Sequence, residues 1–107
     1  MRERLPERRR SETFDLEVVV GTATLKYTAT VGFYKDGRIG ELFLNNHKSN
    51  STADTNARDA AIALSFALQH GADVEAIRRA VCRDSAGRPL GPLGQVLDLI
   101  LDEEKRS

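Results

Sequence analysis

The feature that most constrains this chain is a single change of hydrophobic period, from two in its first half to about 3.6 in its second. Phe14, Leu16 and Val18 alternate with Asp15 and Glu17 from Thr13 onward. After a turn opened by Gly21, Leu25, Tyr27, Ala29, Val31 and Phe33 alternate with Lys26, Thr28 and Thr30. β-Branched and aromatic residues in such runs suit a pleated, half-buried surface. Asp36-Gly37 is the strongest hairpin signal, because glycine accepts positive φ without steric cost. A third strand follows over about Arg38–Asn45, carrying Ile39, Leu42, Phe43 and Leu44. Three strands joined by short turns form an antiparallel meander.

The polar stretch Asn45–Ser51 ends the strands. Ser51 or Thr52 is suited to cap a helix, with Asp54 in its first turn. That helix runs to about His70. Ala57, Ala60, Ala61, Leu64, Ala67 and Leu68 form its buried stripe, Ile62 and Phe66 widen it, and Gly71 suits its end. Asp73 caps a second helix over Val74 to about Arg83. After the loop Asp84–Gly91, Pro92 fits the first turn of a third helix. There Leu93, Val96, Leu97, Ile100 and Leu101 repeat at i, i+3, i+4, i+7 and i+8. The expected fold is α+β, a three-stranded antiparallel meander with three helices packed on one face (β-β-β-α-α-α). A flexible basic arm is expected over 1–12, one domain over 13–104, and a frayed tail over 105–107.

The 107 residues fit one domain, with 16 basic and 16 acidic side chains and no net charge. No global field therefore steers nucleic acid or membranes. The charge is uneven locally: Met1–Arg10 holds five arginines against two glutamates, a net +3. One cysteine, Cys82, excludes an intrachain disulfide. No apolar run approaches the roughly 18–20 residues that span a bilayer, and the N-terminus lacks the apolar core of a secretory signal. A cytoplasmic location is the default expectation.

Several residue runs together resemble a known family. Arg4-Leu5-Pro6 with Arg8–Arg10, Tyr27–Gly32, Tyr34-Lys35-Asp36-Gly37 and Gly40–Leu44 are similar to the TSCPD domain. That domain lies at the C-terminal end of vitamin B12 (adenosylcobalamin)-dependent ribonucleotide reductases. Lys48, Ser51 and Ile62–Gly71 extend the resemblance, which covers roughly Arg4 to Cys82. It implies an accessory domain in the context of deoxyribonucleotide synthesis. The chain departs from the family where the Thr-Ser-Cys-Pro-Asp motif belongs: Gly91-Pro92-Leu93-Gly94-Gln95 contains no cysteine. A thiol or metal role of cysteine-bearing relatives is therefore not carried over. A fainter similarity to iron–sulfur scaffold proteins fails for the same reason, since such clusters need several thiolates.

No catalytic residue and no cofactor is expected. A reductase of that type needs a radical-bearing cysteine, a thiol pair and a large barrel, so this chain alone is not expected to be an enzyme. Any ribonucleoside-diphosphate reductase label would follow from the resemblance. Cys82 reads as a small, partly buried apolar residue. His47 and His70 lack metal-binding spacing, and His70 suits a helix C-terminus.

The foremost site candidate is the loop into the first helix. Asn46, Lys48, Ser49, Ser51 and Thr52, together with Arg38, offer charge and hydrogen bonds to a phosphate or nucleotide at a helix N-terminus. An ordinary capped helix start with a solvated lysine explains the same residues. Arg8, Arg9 and Arg10 form a weaker candidate for nucleic-acid or partner contact, but no aromatics interleave to stack bases. Three functions remain open: a non-catalytic accessory domain that binds a ribonucleotide reductase or another protein, a small nucleotide- or phosphate-binding domain, and a homo-oligomer. The last arises because Phe43 cannot share a sheet face with Leu42 and Leu44.

Overall fold

The computed structural model describes residues 1–106, with side chains described through Asp102. Its order is β1 (Ser11–Val20), β2 (Ala23–Phe33), β3 (Ile39–Asn46), α1 (Thr52–Gln69), α2 (Val74–Ala80) and α3 (Pro92–Arg106). The strands form one antiparallel sheet in the order β1-β2-β3, so the α+β meander followed by three helices is as expected. Of the tail at 105–107, Ser107 and the Lys105 and Arg106 side chains lie outside the described residues.

Register follows from the period-two pattern. Phe14 faces Ala29, Leu16 faces Tyr27, and Ala29 in turn faces Leu44. One sheet face thus carries Leu16, Val18, Tyr27, Ala29, Val31, Leu42 and Leu44, all buried. The other carries Thr13, Asp15, Thr28, Thr30 and Phe43. The β2–β3 connection uses five residues, Tyr34–Arg38, with Gly37 at φ 93° and Gly37 N–H donating to Tyr34 C=O at 3.0 Å. This left-handed position needs glycine.

α1 and α3 close the buried face. Ala57, Ala61, Leu64 and Leu68 meet Val96, Leu97, Ile100 and Leu101 in one core. α1 also runs beside β3 in the opposite direction. Its polar side chains reach part of the strand's otherwise unpaired backbone. Asp54 Oδ1 accepts from Asn46 N–H at 3.0 Å and Gln69 Nε2 donates to Gly40 C=O at 3.0 Å. Between them, Ser65 Oγ accepts from Leu42 N–H at 2.8 Å and lies 3.1 Å from Leu42 C=O. Lengths match: residues 54–69 of a helix rise about 22 Å, and residues 40–46 of a strand span about 20 Å. The alanines of α1 let its backbone come close enough for these short side chains to reach.

Four expectations need correction. Ile62 and Phe66 do not widen the buried stripe; they are 52% and 50% exposed. α1 turns a polar row, not a wider apolar one, toward β3. α2 stops at Ala80, before Arg83, because Val81 takes an extended conformation (φ −66°, ψ 155°) and Arg83 bridges to Pro89. Cys82 is exposed on that extended segment, not partly buried. β1 begins at Ser11, within the span expected to be an arm. Residues before it are bonded to the domain: Glu3 N–H donates to Gln69 C=O at 2.7 Å and Tyr34 Oη to Glu3 C=O at 2.6 Å.

Candidate functional site

The loop between β3 and α1 is built around a carboxylate of the chain itself. Asp54 is 3% exposed at the positive end of α1, where the helix dipole favours an anion. Its Oδ2 accepts from Asn50 N–H at 3.0 Å, while Oδ1 takes the Asn46 N–H. Ser51 is the N-cap: its Oγ accepts from Asp54 N–H at 3.1 Å and donates to Lys48 C=O at 2.7 Å. Asn46 Oδ1 accepts from Lys48 N–H at 2.8 Å. His47 N–H bonds back to Lys26 C=O at 2.8 Å and Ser51 N–H to Lys48 C=O at 3.3 Å. Most donors that an incoming phosphate would use are therefore engaged within the chain. Among the described residues Asn46 Nδ2 is buried without a hydrogen-bond partner, and the Lys48, Ser49 and Thr52 residues are exposed around the network.

Asn46, Lys48, Ser49, Ser51 and Thr52 are brought together, but Arg38 is not. It precedes the eight-residue β3 at the opposite end, about 25 Å from the loop at strand rise. There it pairs with Asp36 at 2.7 Å and Glu3 at 2.9 Å, and its guanidinium lies 4.6 Å from the Tyr34 ring centre. Hydrogen bonds to Glu3 and then Asp36 raise its already high pKa. Arg38 and Lys48 cannot grip one small ligand.

The arginine cluster is also divided. Arg9 Nε pairs with Glu41 at 2.6 Å, and Arg10 stacks 4.0 Å from the Phe33 ring centre. Arg8 is exposed. Among the described residues no group of three or more His, Cys, Asp or Glu is placed to hold a metal ion. His47 Nε2 lies 2.9 Å from Thr28 Oγ1, and His70 Nδ1 lies 2.8 Å from Phe66 C=O at the end of α1.

An apolar strip emerges instead from two elements. Phe43 projects from the outer sheet face and is 52% exposed. Ile62 and Phe66, one turn apart on α1, stand beside it. Shallow grooves of about 310 and 170 Å³ flank the strip; Arg58 borders the first, while Arg2 and Ser65 border the second. Arg2 lies 5.1 Å from the Phe66 ring centre. Three large apolar side chains thus share one exposed surface with a charged and polar rim. Sequence reading placed Ile62 and Phe66 in the core and missed the strip. The signal was the oversized apolar arc on α1, together with Phe43 on the wrong sheet face for burial. It also missed Ser65 and Gln69. The sequence did place Asp54 in the first turn behind a Ser51 or Thr52 cap, and Ser51 is that cap.

These elements define a small α+β domain with a covered β3 edge and an exposed apolar strip. Comparison with known proteins places it among relatives. Over 74 residues the chain is 36% identical to the vitamin B12-dependent ribonucleotide reductase of Bradyrhizobium diazoefficiens, covering 69% of this chain and 6% of that protein. It is 38% identical over 76 residues to the same enzyme of Rhodopirellula baltica, covering 71% and 7%. With that of Agrobacterium fabrum it shares 38% over 74 residues, covering 69% and 6%. The chain is thus related to a segment of these reductases and spans a small fraction of their length, which agrees with the resemblance read from its residues. No family model and no solved structure matches it. Among the described residues no helix is long and apolar enough to cross a membrane.

Proposed function

We propose that this chain is a non-catalytic interaction domain that associates with a vitamin B12-dependent ribonucleotide reductase. The observation that carries the reading is the match itself: about seven-tenths of this chain corresponds to 6–7% of each reductase. A segment of that proportion contributes contacts to a large enzyme more readily than it contributes chemistry. The lone, exposed Cys82 supports this, because thiol radical chemistry needs a further cysteine pair. The strip of Phe43, Ile62 and Phe66 supplies the contact surface, with aromatic anchors and arginines of the kind that dominate binding energy.

The test has two arms. Purified chain is assayed for ribonucleotide reduction with adenosylcobalamin and a dithiol, and separately titrated into a reductase of the matched class. The expected outcome is no turnover alone and saturable binding that Phe43→Ser or Phe66→Ser weakens at least about tenfold. Unaided turnover would end the non-catalytic reading. Absence of binding, or binding indifferent to both substitutions, would end the assignment of the strip.

A further inference from the structure

The two edges of the sheet are treated differently. α1 covers β3, while β1 is open. The bond from Phe33 N–H to Arg10 C=O, 3.0 Å, sets the phase of the β1–β2 ladder. Alternation then directs even-numbered β1 residues toward β2 and turns the N–H and C=O groups of Ser11, Thr13, Asp15, Glu17 and Val19 outward. No hydrogen bond from another described residue reaches these backbone groups. Ten residues is long for an uncovered edge, and Val19 and Val20 at its end are 71% and 54% exposed.

We propose that β1 accepts an added strand from a basic, extended segment of another protein. Charge is the first argument. β1 carries Asp15 and Glu17 on the outer face of the sheet and has no basic residue. A second copy is disfavoured for the same reason in the two registers of longest overlap. Antiparallel self-pairing centred on Asp15 sets that carboxylate against itself, and pairing centred on Leu16 sets Asp15 against Glu17 twice. Like charges directly opposed destabilise a strand pair. A lysine- or arginine-bearing strand reverses the sign at both positions.

Shape gives the second argument. A notch of about 310 Å³ beside β1 is bounded by Glu12, Thr13, Phe14, Leu99 and Ile100. It lies toward the buried side of the sheet, and Leu99 within it is 44% exposed. An added strand would present basic side chains to Asp15 and Glu17 on the outer face and alternate apolar side chains to Phe14 and Leu99 below. The partner is therefore defined by period: base, apolar, base, apolar. Main-chain bonds supply affinity in such strand addition, and alternate side chains supply specificity. This inference does not depend on the relation to reductases.

The whole chain would be titrated with a ten-residue peptide of alternating lysine and valine, and with its glutamate–valine counterpart, while amide exchange is followed by NMR. The lysine peptide is expected to bind and to slow exchange at Thr13, Asp15, Glu17 and Val19. Glu17→Pro removes one outward N–H while sparing the β2 ladder, and binding should fall roughly tenfold. The double substitution Asp15→Lys/Glu17→Lys keeps the ladder intact and should move the preference to the glutamate peptide, also by roughly tenfold. Equal binding of both peptides would overturn the proposal. So would slowed exchange confined to other residues, or sedimentation showing that β1 pairs with a second copy instead.

Discussion

Replacing Ser65 by alanine tests whether α1 holds the sheet through side-chain-to-edge bonds or merely by apolar packing. Ser65 Oγ accepts from Leu42 N–H at 2.8 Å and lies 3.1 Å from Leu42 C=O and 2.8 Å from Ala61 C=O. Leu42 is 2% exposed, so water has poor access to its backbone. Leaving a buried donor unpaired costs about 1–3 kcal/mol. The carbonyl adds less, because the single hydroxyl proton is shared between two acceptors. Alanine regains roughly 0.5 kcal/mol as the better helix former. The net loss is about 2 kcal/mol, a large part of the roughly 5–15 kcal/mol that holds a domain folded. It corresponds to a fall in Tm of roughly 8–16 °C for a chain of this size. Calorimetry would measure the shift, and hydrogen exchange at Leu42 would report the site. The Leu42 amide should change from slow to fast while Val31, opposite it on β2, stays protected. A loss below about 0.5 kcal/mol, or unchanged exchange at Leu42, would refute the reasoning.

Gly40→Ala tests the seat of the N-terminal residues. A Cβ there would lie 2.5 Å from Leu5 Cδ2 and 2.8 Å from Tyr34 Cε2, and Tyr34 is buried. Leu5 should be expelled at a cost of about 1–3 kcal/mol, with faster tryptic cleavage at Arg4, Arg8 and Arg9; unchanged cleavage would contradict this. Inorganic phosphate should leave the Lys48 and Ser51 amide resonances in place, since both N–H groups are bonded within the loop. Shifts there on titration would restore the phosphate-binding reading. Acid should unfold the protein partly through Asp98. Hydrogen bonds from Arg83, with the charges of Arg83 and Arg78, hold its carboxyl below the usual carboxylate range. That contribution is complete above the ordinary aspartate pKa of about 3.9 and is lost as pH falls toward the lowered folded value. Asp98→Asn should therefore flatten the acid limb of a stability–pH curve, and an identical limb would reject the assignment.

The meander was legible because its signals are local. Alternation at Leu16, Val18, Tyr27, Ala29 and Val31 fixes one buried face, and Gly37 marks its turn. α3 was equally readable, since Val96, Leu97, Ile100 and Leu101 are buried at helical spacing. What escaped depends on distance in space. Nothing near Ser65 or Gln69 in the chain says that β3 lies alongside. Ile62 and Phe66 share the composition of core residues and become a surface only because α1 sits beside the sheet. Arg38 looked available to the Lys48 loop because strand length converts eight residues into a separation that sequence proximity hides. Asp54 was recognised as a dipole partner, but its hydrogen bonds to Asn46 and Asn50 required the loop to fold back.

The helix lying against β3 also limits how far the sheet itself can extend. With one margin of the sheet sealed by Asp54, Ser65 and Gln69, growth by main-chain pairing has a single direction. Strand addition on both sides of the sheet, the route by which a meander grows into a continuous ribbon, is thereby closed on the β3 side. The same three polar side chains that steady the domain keep β3 from serving as a second pairing edge.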